Sequence, residues 1–162
     1  SRGEDHEYRA FGSADPDVDE HELAAEFAQW LGELIAEEQA VGRSVRWFHY
    51  GWVEQRHLER LVPAAVAEPL LTAAADLLTD VVRPNFYAPG GYGLKRLAPG
   101  AGASWRTEGA DGAQTLEWIA AAREGDSQAW TRLVEYNEDD TRATKLLREQ
   151  LLEAQTVGWE LP

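Results

Sequence analysis

The stretch VRWFHYGWVEQRHLERL, residues 45–61, changes its pattern in the middle and thereby indicates the class of fold. Its first six residues, 45–50, are rich in β-branched and aromatic side chains, which favours a strand. From residue 51 onward the apolar positions recur at helical spacing, and Pro63 ends the helix that they predict. A strand that leads directly into a helix is typical of α/β proteins.

The rest of the chain predicts more helix than strand. Helices are expected over about 19–38, 66–76, 94–98, 114–124 and 128–153. Short strands or extended segments are expected near residues 7–11 and over 77–84. Two long loops are expected, and loops of this length in a compact domain are often functional. The prediction is one α/β domain over residues 1–162, with too few strands for a complete sheet.

The composition excludes several classes of function. The chain has no cysteine, which excludes disulfides, zinc–thiolate sites and thiol nucleophiles. No apolar run is long enough to span a membrane and no signal peptide is recognised, so a cytoplasmic protein without membrane contact is expected. The net charge of −14 disfavours non-specific binding to a phosphate backbone. Such a chain acts on nucleic acid where divalent cations neutralise its site or a partner supplies basic surface.

Three consecutive acids stand in LVEYNEDDTRAT, residues 133–144, on the last predicted helix. Tyr136 and Asp140 are four residues apart, so they share one face at the edge of the apolar stripe. Asp139 is turned away by about 100°, and Glu138 lies well off that face. Asp140 can bind a divalent cation, and Tyr136 can hydrogen-bond a water directed at phosphorus. The alternative is a solvated acidic helix face.

One carboxylate cannot hold two metal ions, so a metal site needs acids from other elements. Glu54 follows the strand predicted over 45–50, which would bring it to the carboxyl edge of the sheet, where α/β sites form. Asp80 follows a second apolar run and is the next candidate. Acids in such positions also cap helices, face solvent or order a turn, and these local roles are the alternative for both.

Further residues are candidates for contacts with substrate. His49 lies beside the predicted site and can contact a phosphate or assist proton transfer, or it can be a hydrogen-bonded structural residue. Lys95 can contact a substrate phosphate, and Phe86 and Tyr87 offer stacking surfaces for single strands. Asn137, together with Asp80, is a candidate to support the metal ligands. The alternative for these residues is packing or solvent exposure.

Three segments, read in order, carry a family resemblance. They are HYGWVEQRHLERL at 49–61, DVVRPNFYAPGGYGLKRLA at 80–98 and GDSQAWTRLVEYNEDDTRAT at 125–144. Together they resemble the ribonuclease-H-like domain of predicted RecB-family nucleases, a branch of the DEDD exonuclease superfamily. The resemblance implies a mixed sheet flanked by helices and a site with Mg²⁺ or Mn²⁺. It also implies that Glu54 and Asp140 bind metal and that Tyr136 orients the attacking water.

The activity implied is 3′→5′ hydrolysis of single-stranded DNA or RNA, in a protein that also carries helicase or nuclease domains. Two features depart from the family. The second-motif acid is usually Asp, where this chain has Glu54, and the Asp-x-Glu of the first strand is not found. We therefore expect a fragment that begins after the first motif and lacks the first strands. The alternatives are a catalytically inactive scaffold or interaction domain and a plain acidic helical adaptor without a cleft.

Overall fold

The sheet of this protein has two parallel strands in the part of the chain that the structure, a computed structural model, describes, namely residues 8–107 and 109–157. Strand β1 (Trp47–His49) pairs with β2 (Ala74–Asp76), and His49 lies opposite Asp76 in the register. Two helices connect the strands, as a parallel connection requires. The carboxyl ends of both strands therefore meet at one edge of the sheet.

Helices form most of the remaining described chain, as the sequence predicts. In chain order they are α1 (Glu20–Ala40), α2 (Val53–Leu61), α3 (Ala64–Thr72), α4 (Arg83–Asn85), α5 (Leu94–Leu97), α6 (Gly112–Arg123) and α7 (Ser127–Val157). A π-helical segment, Leu77–Val82, follows β2, and a 3₁₀ turn, Ala98–Ala101, follows α5. The α/β class and the strand–helix pair of residues 45–61 are confirmed, with the strand shorter than predicted.

The second predicted strand is wrong in position. Residues 77–84 form the π-helical segment and the start of α4, whereas the strand is Ala74–Asp76, which the sequence predicted as the end of a helix. Leu77 and Val82 are buried at the five-residue spacing of a π-helix, and the Asp76 side chain accepts a hydrogen bond from the Leu78 amide at its start. An apolar run with this spacing suits a wound segment as well as a strand.

The strand predicted near residues 7–11 is also not observed over 8–11, and residue 7 lies outside the described residues. The Phe11 ring packs 5.4 Å from the ring centroids of Phe27 and Trp30 on α1. This segment is therefore placed by aromatic packing against a helix, not by pairing with a strand. The mixed sheet that the resemblance implied appears in the described residues as a parallel pair of strands.

Three apolar clusters hold these elements together. The first joins α1, α2 and α3 around Leu31, Leu58 and Leu70. The second packs Ala143 and Leu147 of α7 against Tyr50, α5 and the 3₁₀ turn, and the third packs α6 against the first half of α7. The long helix α7 is thus fixed along two clusters, and Tyr50 connects it to the end of β1.

Candidate functional site

The carboxyl edge of the sheet is organised by Asp76, the last residue of β2. Its Oδ1 accepts hydrogen bonds from the Gly51 amide at 2.8 Å and the Leu78 amide at 2.9 Å, and its Oδ2 accepts one from Thr79 Oγ1 at 2.9 Å. Burial by itself would raise the pKa of Asp76, but these bonds outweigh it and hold the pKa below its usual value. Asp76 therefore binds the end of β2 to the turn after β1 as a charged carboxylate.

Glu54 lies in the first turn of α2, directly beyond that turn. Its side chain is half-exposed, and its Oε2 is 3.8 Å from His49 Nδ1. Partial burial raises the pKa of Glu54, with the nearby Asp76 carboxylate adding to the increase and His49 opposing it. The predicted strand thus delivers Glu54 to the expected edge, together with His49 and Asp76.

His49 is buried, and its Nδ1 lies 2.6 Å from the Gly51 carbonyl oxygen. Because a carbonyl oxygen only accepts, Nδ1 carries the proton of this bond. Gly51 itself has a φ of +93°, a backbone conformation that other residues seldom adopt. His49 and Asp76 therefore hold Gly51 from both sides, and this turn sets where α2 and Glu54 begin.

Tyr136 and Asp140 form a second group on α7. Trp105 Nε1 donates a 2.7 Å hydrogen bond to Asp140 Oδ1, while Oδ2 has no hydrogen bond within the described chain. Lys95 Nζ lies 4.3 Å from the Tyr136 ring centroid and 5.5 Å from that of Trp105, and it donates to the Ala110 carbonyl. Tyr136 and Asp140 therefore share one environment, as the helical spacing predicts.

The Asp140 carboxyl has a raised pKa. Burial is the largest cause, and the Trp105 hydrogen bond and the Lys95 charge act in the opposite direction. Asp140 is thus a half-buried carboxylate whose charge its surroundings only partly compensate. A bound cation would complete that compensation, which is the electrostatic condition for a metal ligand.

Asp139, the neighbouring acid, has a different role, which the sequence did not predict. It is 3% exposed and accepts hydrogen bonds from the Arg106 backbone amide at 2.8 Å and from Arg106 Nε at 3.0 Å. The same guanidinium donates to Glu138 Oε2 at 2.7 Å and to the Glu135 carbonyl at 2.8 Å. Arg106 thereby fastens the loop after the 3₁₀ turn to α7, and its neighbour Trp105 is placed on Asp140.

The other predicted site residues are spread between these groups. Asp80 Oδ2 accepts a 3.1 Å hydrogen bond from the Asp76 amide, so Asp80 orders the turn after β2. Asn137 is exposed and its Oδ1 accepts a hydrogen bond from Tyr8 Oη at 3.1 Å.

Of the residues predicted to contact substrate, Tyr87 is 88% exposed, whereas Phe86 is half-buried. His49 and Lys95 are engaged by the contacts described above, so neither projects freely toward solvent.

The two groups occupy neighbouring elements. Tyr50 directly follows His49 and packs in the cluster of Ala143 and Leu147, one and two turns beyond Asp140. Over residues 8–107 and 109–157, no three His, Asp or Glu side chains are arranged to hold a metal ion. Carboxylate oxygens are suitable ligands for Mg²⁺ or Mn²⁺, but Glu54 and Asp140 alone do not form a complete metal site.

The sequence did not predict the roles of Asp76 and Arg106, nor the hydrogen bond from Trp105 to Asp140. An aromatic–cationic pair inside an otherwise small-residue loop, GAGASWRTEG at 100–109, was the available signal for the last two. Asp76 carried less signal, because it followed a run of alanines that favoured a helix.

No helix among the described residues is long and apolar enough to cross a membrane.

The fold and the site define a helix-rich α/β domain with acids at the carboxyl edge of a parallel sheet and a Tyr–Asp pair on the closing helix. A family model of the RNase_H superfamily matches residues 3–152, and the chain belongs to this superfamily. No curated protein and no solved structure matches the chain. Membership supports, at a general level, hydrolysis of nucleic acid as the activity of this kind of domain.

Proposed function

We propose that this chain is a nuclease domain that hydrolyses phosphodiester bonds in nucleic acid with the help of Mg²⁺ or Mn²⁺. The observation that carries the proposal is the Asp140 carboxylate in a chain of the RNase_H superfamily. Trp105 holds one of its oxygens, the other is left for a cation, and Tyr136 lies one turn away. A bound cation would stabilise the negative charge that develops on the phosphate oxygens and would activate a water.

The roles of the residues follow from their positions. Asp140 and Glu54 are the proposed cation ligands. Tyr136 is the proposed water-orienting group, and the Lys95 ammonium over its ring holds that ring in place. The finer proposal is a 3′→5′ exonuclease on single strands, of the RecB-family branch, that works beside helicase or nuclease domains of the same protein.

The second candidate is a catalytically inactive scaffold or interaction domain that has the same fold. It is favoured by the absence of a three-acid metal cluster among the described residues and by the structural hydrogen bonds of Asp76 and Asp139. Such a domain would recognise a partner, and its acids would stabilise loops only.

The two candidates are separated by calorimetric titration of Mn²⁺ and by cleavage of a 5′-labelled single-stranded oligonucleotide. Wild type should bind Mn²⁺ and shorten the strand progressively from its 3′ end. Asp140→Asn and Glu54→Gln should each weaken Mn²⁺ binding and abolish cleavage. Glu37→Gln, an exposed acid on α1, is the matched control and should behave as wild type. Indistinguishable Mn²⁺ binding by wild type and Asp140→Asn would favour the scaffold.

A further inference from the structure

Trp52 differs from the other tryptophans that the structure describes. It lies just before α2, two residues from Glu54, and it is 61% exposed. The other five described tryptophans, at positions 30, 47, 105, 118 and 130, are buried or half-buried. A large indole ring left in water forgoes the stabilisation that burial would bring. Packing within the described chain therefore does not account for the position of Trp52.

Arg56 completes a small surface feature with Trp52. Its guanidinium carbon lies 4.9 Å from the Trp52 ring centroid, one helical turn further along α2. With Gln55 and Glu59 the pair lines an open hollow. The contact is a cation–π interaction, which aligns the guanidinium with the indole. Ring and cation together form a preformed surface on the side of α2 next to Glu54.

The charge of Arg56 is available to a ligand. The side chain is exposed, and in the described part of the chain it takes part in no ion pair, a state that it shares with other arginines such as Arg123. Arg56 differs from them because it lies beside Trp52, the one exposed tryptophan among the described residues. A planar ring that is mostly in water, with a cation over one of its faces, suits a nucleobase attached to a phosphate.

We propose that Trp52 and Arg56 form a binding subsite for single-stranded nucleic acid, with a base stacked on the indole and the adjoining phosphate held by the guanidinium. The subsite rests on the proposed function, because its place two residues from Glu54 would put the next phosphate of the strand at the carboxyl edge of the sheet. Phe86 and Tyr87, the stacking residues predicted from sequence, lie on a different loop. Stacking tolerates any base, so the subsite selects single strands and not a sequence.

The test is fluorescence anisotropy with a labelled oligothymidylate in Ca²⁺, and with an abasic strand of the same length. Trp52→Ala should weaken binding of oligothymidylate about fivefold or more and leave the abasic strand unaffected. Trp52→Phe should recover much of the loss, because it keeps an aromatic face. Arg56→Gln should weaken both strands. Leu116→Ala, another exposed apolar residue, and Arg123→Gln are the matched controls and should change neither.

Several outcomes would overturn the subsite. They are wild-type affinity in Trp52→Ala, an equal loss for both strands, or no binding of oligothymidylate by wild type, which would point to a protein contact at this surface. Failure of the proposed function is recognised separately. If Asp140→Asn leaves Mn²⁺ binding and cleavage unchanged while Trp52→Ala still weakens oligothymidylate binding, the subsite stands and the catalytic assignment falls.

Discussion

Asp139 and Asp140 are adjacent in sequence, yet the charge of Asp139 is neutralised by an arginine and that of Asp140 is not. The rotation of about 100° per helical residue sends Asp139 to the Arg106 guanidinium and Asp140 to the Trp105 indole. The spacing rule was enough to predict that Asp140 shares a face with Tyr136. It could not predict the role of Asp139, because its partner is in a loop whose path depends on tertiary packing.

Arg106→Gln is expected to destabilise the fold by about 2 kcal/mol. The change leaves the Asp139 carboxylate buried without its cation. The cost lies below that of a fully buried pair because the Arg106 side chain is 42% exposed. Urea unfolding gives the free energy directly. The double variant Arg106→Gln/Asp139→Asn should recover part of the loss, since the unpaired charge is then removed.

The control for this pair is Arg142→Gln. Arg142 pairs with Glu138 at 2.9 Å in an exposed i, i+4 arrangement, and its side chain is 61% exposed. Its loss should cost less than about 0.5 kcal/mol. Equal unfolding free energies for Arg106→Gln and Arg142→Gln would show that the Arg106 contact contributes no more than a surface pair.

Glu54→Gln should stabilise the protein, and more strongly as pH rises. Burial raises the pKa of Glu54, so the folded chain holds this proton more tightly than the unfolded chain. The stability contributed by the protonated carboxyl is therefore complete below the unfolded pKa and is lost as pH rises through the raised folded pKa. Unfolding free energies of wild type and variant should diverge as pH rises above the ordinary glutamate pKa of 4.5.

Glu20→Gln is the matched control, for which the change in stability at neutral pH should have the opposite sign. The hydrogen bond from Arg60 is the main cause that lowers the pKa of Glu20, so this charged carboxylate favours the folded state above its unfolded pKa. Removing the charge should reduce stability slightly at neutral pH and have no effect in acid. A Glu54→Gln variant that loses stability at about pH 7 would contradict the assigned burial of that carboxyl.

Elements that carry their own local pattern could be predicted from the sequence. Elements that depend on contacts with other side chains or strands could not. Residues 45–61 were recognised because each half carries its own periodicity. The strand Ala74–Asp76 was missed because alanine favours a helix, and only pairing with β1 makes this segment a strand. The segment Leu77–Val82 was predicted as part of a strand. It is helical because the Asp76 side chain accepts a hydrogen bond from the Leu78 amide and so starts a turn. A long-range pairing decided the first case, and a local hydrogen bond to a side chain two residues away decided the second.

The turn between β1 and α2 can be tested with two glycines. Gly51 has a φ of +93°, and an added Cβ would lie 3.9 Å from Leu78 Cδ2, an ordinary contact. Gly51→Ala should therefore cost about 1–2 kcal/mol through backbone strain alone. It should also weaken Mn²⁺ binding, because the turn sets the start of α2 and the position of Glu54.

Gly32→Ala is the matched comparison within α1. Its added Cβ would also lie 3.9 Å from a leucine methyl, on Leu70, but Gly32 has a helical backbone. The substitution should stabilise the protein by about 0.5–1 kcal/mol and leave Mn²⁺ binding unchanged. Thermal and urea unfolding of both variants give the comparison. Similar stability changes for the two would mean that the Gly51 turn is not strained by a side chain.

The whole molecule combines the fold of a nucleic-acid enzyme with a charge that repels nucleic acid. The chain has 29 acidic and 15 basic residues, and it belongs to the RNase_H superfamily. That this charge is a barrier to non-specific binding stays a prediction from composition, whereas the superfamily that the resemblance indicated is confirmed. We propose that cations reconcile the two, attracted by the acids Glu54 and Asp140, whose placement composition alone could not predict.

Salt should therefore stabilise this protein in two distinguishable ways. Raising NaCl from about 0.01 M to about 0.15 M shortens the screening length from about 30 Å to about 8 Å, which should weaken repulsion among the acids and raise the melting temperature. MgCl₂ at matched ionic strength should raise it further, because a cation that binds only the folded state adds to stability by mass action. The additional increase should be absent from a Glu54→Gln/Asp140→Asn double variant, whose response to NaCl should stay close to that of wild type. An additional increase of the same size in wild type and double variant would mean that Mg²⁺ acts through the general charge of −14 and not through these two carboxylates.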